Sequence, residues 1–552
     1  MIEDARNIPA GTEIPCDVAI VGTGAAGATL ACELIGSGLD VVVLEGGGFK
    51  YDEGAQELYR GEVDDKKRHG ELTRYRRRMF GGTTTVWGGR CAAFDAIDFE
   101  TRPWVPHSGW PVTRAEMDPF YERAHDYTHA GLYRYTSASL PDGARPLIPG
   151  LDSNVVLQDR MWRFSLPTDF GSANRKRLAA AANVRLILHA NALQLKTDTA
   201  GRHVERLRAA TPEGREFSIR ARFVALAAGG IEVTRLLLLS DDVNPAGLGN
   251  EHDMVGRCYG SHVSGDLGEV ALSEKAREVV WSYERDHDGV YCRRHLRIAE
   301  DTQRRLGLLN YRCTLTHPPF GDPSHRSGVL SAAYLVKRFL MHQIPPEFSR
   351  DMASREYRRV REHLRNVILG SPGLVTFGLH WLFQRTLATR KYPSVSLRSR
   401  ANRYTLHFDA EQAPNPDNRI TLSEDRDKFG MRRVKIRWRT SDLDSHSVGE
   451  CHRLLAEEFA RTGAGKVELP HTEAARIIRD ESGVGSHHIG STRMADAPKQ
   501  GVVDRNARVH SVDNLFIAAP SIFCTASFAN PVLTTTAFAV RLADHLKAAA
   551  AS

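Results

Sequence analysis

Residues 17–45 read Asp17-Val-Ala-Ile-Val-Gly22-Thr23-Gly24-Ala25-Ala26-Gly27-Ala-Thr-Leu-Ala-Cys-Glu-Leu-Ile-Gly-Ser-Gly-Leu-Asp-Val-Val-Val-Leu-Glu45. The apolar run Asp17 to Val21 predicts a buried strand, Ala28 to Ile35 a helix, and Val41 to Leu44 a second strand. Between the first strand and the helix each glycine has its own purpose. Gly22 permits the tight turn, Gly24 lets main chain approach a pyrophosphate, and Gly27 lets the helix pack on the strand, with the helix N-terminus facing the phosphates. Glu45, 23 residues after Gly22, stands where an acid accepts a hydrogen bond from a ribose 2′-hydroxyl and disfavours a 2′-phosphate, hence NADP. A glycine turn by itself also occurs without a ligand; strand, helix and acid in one unit predict a dinucleotide site.

Working outward, two more apolar, β-branched runs, Phe223 to Leu226 and Leu515 to Ala518, read as strands of the same kind. Strands alternating with helices predict an α/β fold with a parallel sheet. Because its strands lie at the start, middle and end of the chain, the first domain is discontinuous: residues 1–90, 184–260 and 481–552. Residues 91–183, rich in Trp, Pro and Tyr, and 261–480, with strand candidates Arg419 to Leu422 and Arg433 to Trp438, are expected to form a second α+β domain on an antiparallel sheet.

The chain has 552 residues, 41% hydrophobic and 26% charged, which excludes a disordered tail or a small disulfide scaffold. A net charge of +7 is small for this length and argues against a nucleic-acid partner. Eight cysteines are scattered without a C-x-x-C pair, so neither a zinc site nor a disulfide framework is expected and no metal is assigned. The first residues, MIEDARNIPAGTEIPC, carry acids and no apolar core of a signal peptide, and a cytoplasmic location is expected. The run Leu374 to Phe383 falls short of the ~20 residues that span a bilayer. The basic stretch before it (Arg355, Arg358, Arg359, Arg361, Arg365) reads as a solvated helix face, with an anionic membrane surface as the alternative.

Three further regions carry glycine. Gly81-Gly82-Thr83-Thr84-Thr85-Val86-Trp87-Gly88-Gly89 can bring main chain and hydroxyls against a flat ligand, or can be a surface loop. Ala227-Ala228-Gly229-Gly230 lies where a strand turns into a helix. The C-terminal region holds Gly485-Ser-His487-His488-Ile-Gly490-Ser-Thr-Arg-Met494 and Asn530-Pro531-Val532. A His pair beside glycines can be purely structural. Asn followed by Pro predicts a helix start, running through Leu542 toward Leu546, whose dipole would stabilise a developing anion.

With these regions in order, the chain resembles the glucose-methanol-choline (GMC) oxidoreductases over nearly its full length. The likeness is carried by GTGAAG with Glu45, GGTTTVWGGR, LAAGGIEVTRLL, EQAPNPDNRITLS, SHHIGSTRM, VVDRNARV and FANPVLT. The resemblance implies FAD on Gly22, Thr23, Gly24, Ala25, Ala26, Gly27, Glu45 and Gly46. It also implies Arg78 and the loop Gly81, Gly82, Thr83, Thr84, Trp87, Gly88 and Gly89 along the flavin, with Leu193, Ala228, Gly229, Ala519, Asn530, Pro531 and Val532 completing the site. The family's catalytic pair maps onto His487 and Asn530; His488 and Gln412 are expected to meet substrate. Three departures matter. Relatives that tether flavin through this loop carry His where Val86 stands, so non-covalent FAD is expected. Ala518-Ala519-Pro520 replaces the acid many members carry, and Asn530 replaces a second His. Both resemble the pyranose-oxidase and sugar or glycoside 3-dehydrogenase branch.

The expected reaction is oxidation of a sugar, glycoside or polyol hydroxyl, with His487 taking the proton, flavin N5 the hydride and Asn530 orienting the oxygen. The acceptor is left open among O2, a quinone and a protein carrier, and the oligomeric state is left open with homo-oligomers included. Alternatives are a non-sugar alcohol of secondary metabolism, an FAD-containing lyase, a binding protein without catalysis, and an NAD-dependent reductase, which leaves the Gly81 and C-terminal regions unexplained.

Overall fold

A computed structural model describes residues 1–340, 360–484 and 486–551. Gly485, Arg355, Arg358 and Arg359 lie outside the described residues.

The run Val41–Leu44 is buried along its whole length, as a parallel strand covered on both faces requires. It pairs in parallel with Glu13–Val21 on one side and Val184–Leu188 on the other. The eight-stranded sheet runs Ile2–Asp4, Val184–Leu188, Val41–Leu44, Glu13–Val21, Glu216–Leu226, Val204–Ala210, Asn191–Thr197, with Leu515–Ile517 also parallel to Glu216–Leu226. Helices Ala25–Glu33 and Pro531–Ala551 pack together against it. The strand expected at Phe223 begins at Glu216. Its first half alternates buried Phe217, Ile219 and Ala221 with more exposed partners and feeds an antiparallel pairing to Val204–Ala210, which an apolar run cannot reveal.

The second eight-stranded sheet is antiparallel: Gly465–Val467, His262–Leu272, Arg403–Glu411, Tyr311–Thr316, Tyr291–Ile298, Val156–Phe164 and Arg90–Cys91, with Glu284–Arg285 on Tyr291–Ile298. Helices Asp442–Thr462 and His471–Glu481 cover it, burying Phe459, Cys451 and Ile478 against Leu406 and Phe408. The fold is therefore α/β, a discontinuous Rossmann-like domain carrying an antiparallel substrate-side sheet.

The two halves interlock more than a division at 91, 183, 260 and 480 allows. Helices Arg114–Thr128 and Phe170–Ala180, expected on the substrate side, pack on the parallel sheet's side: Phe170, Leu178 and Tyr127 share a core with Leu30 and Val43, and Tyr127 donates to Glu33 at 2.7 Å. The hairpin Arg419–Arg426 and Arg432–Arg437 pairs with Glu62–Val63, and its Ile420, Val434 and Ile436 pack on Ile231 and Tyr259. The side chains that choose these partners lie far away in the sequence, so composition alone does not reveal these contacts.

Candidate active site

The sheet edges where Gly22, Gly229 and Ala519 follow their strands open on one cavity of about 880 Å³, toward the upper end of the ~300–1,000 Å³ typical of ligand sites. Its first half is made by main chain. Gly22 has φ +102°, and a Cβ on it would meet Ala227 O at 2.7 Å; a Cβ on Gly27 would lie 1.9 Å from Gly22 O. These two glycines let turn, helix and neighbouring strand close on one another. Gly24, Gly88 and Gly229 differ, since a Cβ on any of them would meet nothing within 4 Å while all three line the cavity. They form a cradle that side chains would fill.

The second glycine cluster packs directly on the first. Thr23 Oγ1 donates to Glu45 at 2.6 Å and accepts from Gly81 N at 3.2 Å, and a Cβ on Gly82 would meet Gly24 Cα at 3.0 Å. Glu45 also accepts from the N–H groups of Thr23 and Gly47. Burial raises the Glu45 pKa above its ordinary value against these hydrogen bonds. Arg78 donates to Asn191, while its Nε is buried beside the cavity without a hydrogen-bond partner. The glycine cradle, the acid at its rim and this orphaned donor fit a dinucleotide such as FAD.

Ala25, Ala26, Gly46, Thr83, Thr84, Trp87, Leu193, Ala228, Ala519, Pro531 and Val532 also line the cavity. Gly27, Gly81 and Gly89 do not: they lie behind the lining, where close main-chain or side-chain neighbours exclude a Cβ. Gln412 does not line it either, which corrects its expected contact with substrate. It is buried, accepts from Ser261 N and Trp438 Nε1, and donates to Arg439 O. It is a strut between strand ends.

The second half of the cavity is made by side chains. Helix Pro531–Ala551 begins at the expected Pro, but the Asn530 amide is turned away to other partners. Its Oδ1 accepts from Arg90 Nε at 2.7 Å, and its Nδ2 lies 3.3 Å from His487 Nε2. Arg90 can only donate, so the amide orientation is fixed: Nδ2–H points at His487, whose Nε2 therefore carries a lone pair. Burial pushes the His487 pKa well below its ordinary value, with neighbouring His262 and Arg90 adding to the shift. At neutral pH this favours the uncharged imidazole.

Four residues around this pair went unread in the sequence. Arg90 grips Asp409 through Nη1 and Nη2 at 2.8 and 3.0 Å and lies 4.4 Å over the Trp162 ring. His262 donates from Nδ1 to Ser527 O at 2.8 Å, which leaves its buried Nε2 an acceptor without a partner, 4.7 Å ring to ring from His487; burial takes its pKa down to about 4. His488 belongs to a directed chain. His69 Nδ1 donates to Gly70 O, so His69 Nε2 accepts from Tyr259 OH at 2.9 Å, and that oxygen accepts from His488 Nδ1 at 2.6 Å. His488 thus presents Nε2 as an acceptor in the cavity wall. Arg90 had a signal in its place after Gly88-Gly89, and Asp409 in its alternation with Glu411 on one strand. His262 and Tyr259 had none.

A family model for FAD-dependent oxidoreductases matches residues 17–307, just over half the chain, and one for GMC oxidoreductases matches residues 414–539. The chain is an FAD-dependent oxidoreductase, an enzyme acting on the CH–OH group of its donors. Within that class its residues 414–539 carry the C-terminal domain of the GMC oxidoreductases. It is 25% identical to 6'''-hydroxyparomomycin C oxidase of Streptomyces lividus, over 96% of this chain and 92% of that protein. It is 23% identical to 2-methyl-1,2-propanediol dehydrogenase of Mycolicibacterium austroafricanum, over 96% and 95%. The crystal structure of pyridoxine 4-oxidase from Mesorbium loti shares the fold at TM-score 0.53 and 17% identity, covering 96% of this chain and 99% of that one.

Proposed function

We propose that the protein oxidises a hydroxyl group of a sugar, glycoside or related polyol to the carbonyl, using non-covalently held FAD. The observation that carries this reading is the neutral His487 with its Nε2 lone pair turned to the Asn530 amide, in the same cavity as the glycine cradle. When bound, FAD supplies the hydride acceptor. Once the substrate oxygen replaces the 3.3 Å contact between Asn530 Nδ2–H and His487 Nε2, His487 Nε2 takes the hydroxyl proton and Asn530 Nδ2–H holds the same oxygen. Arg90 keeps the amide from turning over, and the N-terminus of helix Pro531–Ala551 favours negative charge beside it.

A polar substrate is supported by the wall opposite the cradle: Ser264, His407, Asp409, Arg90 and the unpartnered His262 Nε2 offer donors and acceptors to several hydroxyls at once. The relative acting on hydroxyparomomycin C agrees with a glycosidic donor, whereas the propanediol dehydrogenase favours a second reading, a small non-sugar diol. Val86 at the edge of the loop supplies no nucleophile for a covalent flavin link. Eight unpaired cysteines suit a reducing, cytoplasmic setting.

The test is an anaerobic flavin-bleaching screen over monosaccharides, glycosides, aminocyclitols, diols and simple alcohols, with reoxidation by air, a quinone or a protein carrier. Bleaching by sugars or glycosides in preference to mono-alcohols is expected. A flavin that no alcohol bleaches refutes oxidation and leaves the lyase reading. Acid precipitation should release all of the flavin; yellow colour retained in the pellet refutes non-covalent binding.

A further inference from the structure

Helix Val360–Leu369 is built inside out. The residues it buries are polar: His363, fully buried, meets Ser331 Oγ at 3.0 Å and Gly321 O at 3.2 Å and stacks on Tyr334, while Asn366 donates to Pro323 O at 2.8 Å. The residues it turns outward mix apolar Leu364, Ile368 at 71% exposure and Leu369 at 68% with charged Arg361, Glu362 and Arg365. After Gly370 the chain bends by 76° into Ser371–Trp381, a helix apolar on most sides in which no residue is buried. Val375 and Leu379 on this helix and Leu382, Phe383 and Leu387 after it continue the exposed apolar surface. In water this arrangement exposes what folding ordinarily hides. An apolar surround makes it the right way round.

We propose that the outward faces of these two helices dock on a lipid surface carrying anionic phospholipid. Charge chooses the occupant. Residues 360–391 hold Arg361, Arg365, Arg385, Arg390 and Lys391 against a single acid, Glu362, a net charge of +4. Arg361 and Arg365, exposed and one turn apart, flank Leu364 and Ile368. A second copy of the chain related by a twofold axis would set the exposed Arg361 and Arg365 against their own copies, whereas anionic headgroups neutralise them at about 1 kcal/mol per basic residue. No single described helix is long and apolar enough to cross a membrane. At ~1.5 Å per residue the ten residues of Val360–Leu369 reach about half of a ~30 Å hydrocarbon core, so the pair lies in the interface with Trp381 and Phe383 at headgroup depth.

Co-sedimentation of the yellow holoenzyme with phosphatidylcholine vesicles, with and without phosphatidylglycerol, tests this. Phosphatidylglycerol should raise the vesicle-bound fraction roughly tenfold or more, and added salt should reverse it. The double substitution Arg361→Glu, Arg365→Glu should lower binding to anionic vesicles by about tenfold or more. The triple substitution Ile368→Gln, Leu379→Gln, Phe383→Gln should abolish it. Both variants should keep the wild-type rate of flavin reduction by soluble donor, which shows that they fold. Absence of wild-type binding to phosphatidylglycerol vesicles, or binding that survives both variants, overturns the proposal. So does a wild-type dimer that the triple substitution turns into a monomer, which would make a second copy the occupant.

Discussion

At one end of the cavity Gly22 and Gly27 come from a single turn and act through main chain packed on main chain. At the other end Arg90, His262, Asp409, His487 and Asn530 arrive from five separate stretches and meet only through side chains. The first end is defined by what cannot be added to it, and the second by partners that fix one another's protons. A single methyl group should therefore break the first, while the second should fail one function at a time.

The largest effect is expected at Gly27. Its Cβ would overlap Gly22 O, and both are main chain, so neither yields cheaply. Gly27→Val should lose most of its bound flavin and at least ~2 kcal/mol of stability, read from the 450 nm to 280 nm absorbance ratio and urea denaturation. Gly24→Ala sharpens the contrast: its methyl enters open cavity space, so stability should hold while flavin affinity falls. Equal stability losses in the two variants would show that the glycines do not divide as described.

At the side-chain end His487→Ala should keep flavin bound and slow its reduction by a good donor roughly 100-fold or more. Unchanged stopped-flow kinetics would remove His487 from the role of base. Arg90→Lys keeps the charge and loses the fork that holds Asn530 and Asp409 together, so about a tenfold loss in kcat/KM is expected. Arg90→Ala should cost about 3–5 kcal/mol of stability, since it leaves a buried carboxylate unpaired. Burial pushes the Asp409 pKa up and Arg90 more than offsets it, holding the group ionised.

Protonation distinguishes the two ends as well. Burial first, then His262 and Arg90, pushes the His487 pKa well below its ordinary ~6.5. The acid limb of the kcat/KM profile should fall below pH ~6.5, and an apparent pKa at or above that value would contradict the buried neutral base. For the depressed histidines the linkage has one sign, opposed by Asp98 and Asp444, which burial raises to about 7 and about 6. A histidine with its folded pKa depressed binds protons in the unfolded chain first, so its contribution to stability is present above pH ~6.5 and is lost as pH falls toward the folded value. His125, His262 and His325, each depressed to about 4 mainly by burial, act in the same direction. Urea midpoints should decline between pH ~6.5 and 5.

The same contrast explains what the sequence could reveal. Gly22 to Glu45, Gly81 to Gly89 and Asn530-Pro531 were legible because each acts within one local unit, where a turn, a close approach or a helix start has a fixed residue requirement. The parallel sheet followed from apolar runs such as Val41–Leu44, whose burial needs no partner to be specified. His262, Tyr259 and the Arg90–Asp409 pair have no such local signature. His262 is identified by Ser527 and His487, 265 and 225 positions away, and nothing in Gly260-Ser-His-Val announces it. The placement of helices Arg114–Thr128 and Phe170–Ala180 has no local signature for the same reason: their partners, Glu33 and Leu30 among them, are chosen by tertiary packing.

Gln412 is the smallest and most discriminating case, because it lies between the two kinds of region. It stands next to the strand that supplies Asp409, yet its amide is used up on Ser261 N, Trp438 Nε1 and Arg439 O. Gln412→Leu removes an acceptor from two buried donors and should cost ~1–3 kcal/mol in urea denaturation. If the residue is a strut, kcat/KM for the best donor should stay within about twofold, since surface donors and acceptors facing the substrate are untouched. A drop of tenfold or more in kcat/KM with unchanged stability would return Gln412 to the substrate wall and shift the boundary drawn between the two ends.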